Sequence, residues 1–73
     1  MNKTDTEKII AEYLKPIFGF ALKRCRNIQD AEDLSQEIAA KAFRMLLIRD
    51  DIEDVDKYIW TVAHNMLSSY YRS

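Results

Sequence analysis

The stretch that decides the fold is Asp30-Ala31-Glu32-Asp33-Leu34-Ser35-Gln36-Glu37. Acidic or amide side chains fill most of it, and the residues after it are largely apolar. At about 100° per residue, Asp33, Gln36, Glu37, Ala40 and Arg44 fall on one narrow helical face. Leu34, Ile38, Ala42 and Met45 fall on the other. A core stripe therefore backs an acid–amide stripe, and such a stripe suits a basic partner. Asp30 and Glu32 also have a simpler role, since carboxylates in a first turn complement the helix dipole. For Asp33, Gln36 and Glu37 the spacing alone also favours a solvated face.

Working outward, Asn27 is placed to cap this helix, which the pattern carries to about Ile48. Phe43, Ala39 and Leu46 widen its apolar face enough to touch two neighbours. Upstream, Thr4 and Glu7 have the spacing of a capping box. Apolar residues then recur at Ile9, Ile10, Tyr13, Leu14, Ile17, Phe18, Ala21, Leu22 and Cys25, a sustained three–four spacing that predicts a second helix. Pro16 removes a ladder hydrogen bond and crowds the carbonyl of Glu12, so a kink or a break is expected there, softened by Gly19. Lys23, Arg24 and Arg26 crowd its C-terminal turn. Downstream, Arg49 to Glu53 reads as a polar connection, and Asp54 as the cap of a third helix. Val55, Ile59, Val62, Ala63, Met66 and Tyr70 form the core face of that helix. Lys57, Trp60, Thr61, His64, Ser68, Tyr71 and Arg72 lie on its outer side or edges. Tyr58, Trp60 and Tyr70 read either as core-edge residues or as a stacking platform for unpaired bases, where an aromatic face holds a base with ~1–3 kcal/mol.

Composition narrows the possibilities. The chain has 73 residues, with a single Gly and a single Pro. One small all-α domain fits this, and such a domain buries only about 60–65% of its unfolded surface. Cys25 is the single cysteine, which excludes an intrachain disulfide and fits a core position in a reducing compartment. No membrane-length apolar run and no leader pattern is visible, so a cytoplasmic protein is expected. His64 has no second His or Cys at ligand spacing, and Ser68 beside it has no oxyanion loop. Neither a metal site, a cofactor nor an enzyme is expected. Eleven basic against twelve acidic residues give a net charge of −1, whereas phosphate-neutralising proteins carry a basic excess.

Residues 30–37, followed by Ala42-Phe43-Arg44, resemble the "DAEDLxQE…AF" signature of region 2 of the sigma-70 family, in its extracytoplasmic-function branch. Tyr58-Ile59-Trp60-Thr61-Val62-Ala63-His64-Asn65 is similar to that branch's "WLxxIAxN". The resemblance implies a compact bundle of three main helices that binds the clamp coiled coil on the β′ subunit of RNA polymerase core. It implies recognition and melting of the promoter minus-ten element on the non-template strand. Polymerase contacts then fall on Asp33, Gln36 and Glu37, with Arg44 on the same face; an arginine-bearing partner helix suits carboxylates. DNA contacts fall on Arg49–Asp54, and on Trp60, Thr61, His64, Asn65, Ser68 and Arg72. An anti-sigma factor is a further partner the family implies. The chain departs from the family pattern at Tyr58, where a Trp is usual, at Thr61 and His64, which are often basic, and at Ser69, often Asp. The connection Asp50-Asp51-Ile52-Glu53-Asp54 is unusually acidic for a loop near DNA. No region 4 is expected within this chain, which reads either as an excised N-terminal domain of a longer factor, the favoured reading, or as a natural short protein that works with a separate region-4 subunit. A sigma-like regulator that binds polymerase or an anti-sigma partner without reading DNA is the alternative.

Overall fold

The computed structural model describes residues 1–72, with side chains as far as Tyr71. It contains helices α1 (Lys3–Arg24), α2 (Ile28–Ile48) and α3 (Val55–Arg72). Its long axis is 35 Å, about the length of a 22-residue helix at 1.5 Å per residue. The all-α three-helix expectation holds.

Caps set the helix starts. The Asn27 side chain accepts from the Asp30 amide at 2.8 Å, and Asp54 accepts from the Lys57 amide at 3.0 Å, both as the sequence predicts. On α1 the cap is Asn2, not Thr4. Asn2 Oδ1 accepts from the Asp5 amide at 2.8 Å. The reason lies one turn on: this register buries Thr6 completely, and its Oγ1 donates to the Asn2 carbonyl at 2.7 Å. A buried hydroxyl is thereby satisfied. Pro16 does not break α1, which continues through it to Arg24. Its ring is on the exposed side, and so is Glu12, whose carbonyl loses the ladder bond.

The core comprises Ile10, Ile17, Phe20 and Ala21 from α1, Ala31, Leu34, Ile38, Ala42 and Leu46 from α2, and Ile59, Val62 and Ala63 from α3. Four alanines in it are fully covered, and small side chains at a seam favour the short end of the usual ~8–10 Å helix spacing. The sequence reading places this core with local errors. Leu14 and Leu22 are 51% and 43% exposed, because α1 meets its neighbours over a narrower arc than its apolar residues span. Phe20, absent from the predicted face, is buried. Leu46 rather than Met45 completes the α2 stripe.

Tyr13 of α1 meets Trp60 of α3, and Phe20 meets both Trp60 and His64. These contacts advance together along both chains, so α1 and α3 run parallel. The short Cys25–Asn27 connection turns α2 antiparallel to α1. The first turn of α2 consequently lies beside the last turns of α3.

Candidate functional site

The α2 stripe is solvent-facing throughout: Asp33, Gln36, Glu37, Ala40 and Arg44 are all exposed. Leu34 and Ile38 lie fully buried on the opposite side and fix the helix rotation. Within the stripe, Asp33 accepts from Gln29 Nε2 at 3.2 Å, one turn back. Asp33, Gln36, Glu37 and Ala40 form one wall of a shallow groove whose other wall is Tyr70 of α3. Tyr70 is therefore only partly a core residue. Partial burial and a hydrogen bond to Asp30 push its hydroxyl up to about 12. That bond joins the end of α3 to the start of α2, so Asp30 holds a tertiary contact as well as complementing the dipole. The sequence reading misses Tyr70 as part of this surface; only the antiparallel pairing of α2 and α3 brings the two together.

The outer face of α3 is built differently. Thr61, His64, Asn65 and Ser68 are exposed. Thr61 Oγ1 donates to the Lys57 carbonyl at 2.8 Å, which leaves its lone pairs outward. Trp60 is half-buried in the α1–α3 seam, its ring 5.6 Å from Phe20 and 6.3 Å from Tyr13. The His64 ring stands edge-on to Phe20, with centroids 5.0 Å apart. The side chain of Arg72 lies outside the described residues. The sequence thus places four polar residues on one open face, and α1 supplies the backing for the two rings beside them. Phe20 and Tyr13 are missed as its supports; Phe20 follows Ile17 at helical spacing, a signal that was available.

The α2–α3 connection closes this face at one end. Arg49, Asp51, Ile52, Asp54, Lys57, Tyr58 and Thr61 line a cleft between the loop and the first turns of α3. Arg49 is bidentate on Asp51, with Nε to Oδ1 at 3.0 Å and Nη2 to Oδ2 at 2.8 Å. Hydrogen bonding to Arg49 holds the Asp51 carboxyl below the usual carboxylate range, and Arg49 is raised in return. The same guanidinium lies 5.7 Å from the centroid of the Tyr58 ring. Three of the loop's acidic residues are therefore partnered: Asp50 with the Met1 amino group at 3.6 Å, Asp51 with Arg49 and Asp54 at the α3 cap. At the seam above, Asp56 accepts a hydrogen bond from the Tyr13 hydroxyl, which pushes that hydroxyl up to about 12.

Among the described residues no group of three or more His, Cys, Asp or Glu could hold a metal ion. No helix among the described residues is long and apolar enough to cross a membrane. Cys25 is half-buried and packs against the core.

Two open helical faces, one acid–amide and one polar with anchored rings, thus stand on the three-helix frame. The Sigma-70 region 2 family matches residues 9–73, and the chain belongs to that family. The chain is also similar to a protein described as RNA polymerase sigma factor YlaC, from Bacillus subtilis (strain 168). The two are 22% identical over 71 residues, which cover 97% of this chain and 41% of that protein. This chain thus spans less than half the length of that relative. No solved structure matches.

Proposed function

We propose that this domain docks on RNA polymerase core through α2 and engages the promoter minus-ten element through α3. Asp33, Gln36, Glu37 and Arg44 contact the clamp coiled coil of the β′ subunit. Trp60, Thr61, His64, Asn65, Ser68 and Arg72, with the Arg49–Asp54 cleft, receive the non-template strand. The observation that carries the reading is the separation of the two faces. Each stays exposed while the buried residues of the same helix hold it in place, so both partners can bind one domain at once. Arginines on the partner helix would meet carboxylates and an amide along α2, pairs that are strong and directional. On the other side, opening the duplex and flipping a base costs a few kcal/mol. Polymerase helps supply that energy and much of the phosphate neutralisation, which suits a domain of net charge −1. Acting with polymerase, the domain works in the cytoplasm. Recognition of the upstream minus-35 element is left to a separate region.

Glu37→Lys tests the polymerase half. It reverses charge on an exposed helix face, so pull-down by polymerase core is expected to be lost while the circular dichroism spectrum is unchanged. Undiminished pull-down would refute the α2 interface.

A second reading has its own support. Arg49, one of two basic residues lining the cleft with Lys57, is already paired with Asp51, and the loop around it stays acidic. A regulator that binds polymerase or an anti-sigma partner without reading DNA would look the same there. Asn65→Ala separates the two. Weaker crosslinking to single-stranded minus-ten DNA, with polymerase binding kept, supports the sigma reading; unchanged crosslinking favours the regulator.

A further inference from the structure

Arg24 stands exposed in the last turn of α1, its Cζ 4.1 Å from the centroid of the Phe20 ring. Its Nη1 donates to the Phe20 carbonyl at 3.1 Å. The same ring receives His64 edge-on at 5.0 Å and Trp60 at 5.6 Å. One buried phenyl ring therefore holds a cation of α1 beside the outer face of α3.

The helix dipole accounts for a positive charge here but not for this geometry. Lys23 satisfies the dipole equally well, and a dipole has no use for a planar group laid on a ring. Stacking does two things. It fixes the plane of a side chain that is otherwise costly to immobilise, and it leaves the edge N–H donors pointing away from the ring. No ion pair to Arg24 occurs among the described residues, so those donors are not spent on a carboxylate. The outer face of α3 meanwhile carries a single described basic residue, Lys57, beside the uncharged Thr61, Asn65 and Ser68 and the lone His64. A single strand lying on that face brings one phosphate per nucleotide, and α1 holds the nearest cation tied to the face by a shared ring.

We propose that Arg24 is a phosphate-binding residue for single-stranded DNA on α3, with Phe20 as the platform that positions its guanidinium beside His64. The inference rests on the DNA-binding reading above and extends that surface onto α1. It also gives the near-neutral domain a local source of backbone affinity that its net charge conceals.

The test uses the full chain bound to bacterial RNA polymerase core, with core alone subtracted. A short fluorescein-labelled single strand of mixed sequence is titrated by anisotropy at increasing potassium chloride. Arg24→Gln is expected to weaken binding about tenfold, the low end for a hydrogen bond to a charged group. It should also make the slope of log K against log salt shallower by about 0.7, the value for one phosphate contact on a single strand. Arg24→Lys should keep the slope and lose part of the affinity, since a lysine retains the charge without the stacked fork. Lys15→Gln changes net charge equally on the opposite side of α1 and should leave both readings as they are. Circular dichroism checks that each variant is folded. Equal slopes and affinities for Arg24→Gln and the unsubstituted chain would overturn the role of Arg24 and leave the DNA reading standing. If the chain adds no DNA binding to that of core alone, the DNA reading fails and the role of Arg24 with it.

Discussion

On α2, Asp33, Gln36, Glu37 and Arg44 project from a helix whose far side holds the core, and the fold does not depend on any of them. On α3, Trp60 and His64 lean on Tyr13 and Phe20 of α1, so residues proposed for binding also hold two helices together. The difference teaches where function and stability can be separated by mutation. A stripe read directly off helical spacing can be changed with little structural cost. A face whose rings are anchored in a seam cannot, and a loss of DNA binding there does not by itself assign a contact.

The sharpest way to break this comparison is Trp60→Ala. Full burial of a Trp or Phe makes truncation cost ~3–5 kcal/mol, and the half-buried Trp60 should cost about 2–3 kcal/mol, read as a lower urea midpoint with unchanged m. Glu37→Lys, in the same titration, should move stability by no more than about 0.5 kcal/mol. Equal effects of the two substitutions would end the distinction between a free stripe and an anchored face. The same reasoning makes Asn65→Ala, which removes no described packing, the cleaner probe of DNA contact.

This asymmetry also explains what the sequence could reveal. The starts of α2 and α3 were legible because Asn27 and Asp54 each meet an amide three residues on. The exposed acid–amide stripe was legible because helical spacing alone determines which side of α2 faces out. The α1–α3 seam was not. Trp60 sits at the edge of its helix, where spacing permits either solvent or a neighbour, and only the parallel course of α1 decides between them. Tyr70 presents the same difficulty at the α2–α3 end, where its partner Asp30 is remote in sequence. At the start of α1 two cap-forming residues compete, and tertiary burial of Thr6 selects Asn2 over Thr4.

A smaller effect tests the seam through its hydrogen bond. Tyr13 donates to Asp56, and its folded value is raised to about 12 from an ordinary 10.0. A raised value means that the contribution is fully present below pH 10 and is lost as pH rises through about 12. Tyr13→Phe should therefore cost about 0.5–1 kcal/mol at neutral pH, at the low end because the bond faces solvent. The deficit should close as pH climbs from 10 to 12. Tyr70, raised to about 12 mainly by partial burial, will still give the variant some alkaline loss. A deficit that stayed constant across that window would mean that Tyr13 contributes through its ring packing on Trp60 and not through Asp56.

The smallest change asks whether α1 must flex to serve α3. Gly19 lies in mid-helix with no positive φ, and a Cβ built there meets nothing within 4 Å. No local geometry calls for glycine, so its presence costs helix stability beside Pro16. Gly19→Ala should stabilise the domain by roughly 0.5–1 kcal/mol. For a domain of this size that corresponds to a rise in Tm of about 2–8 °C. If α1 is a static support, polymerase binding and DNA binding should both be unchanged in the stiffened variant. Weaker DNA binding with unchanged polymerase binding would show that the Phe20–Arg24 turn, which begins at the next residue, has to adjust when the strand arrives. The anchored face would then be a moving part, while the α2 stripe stayed the fixed one.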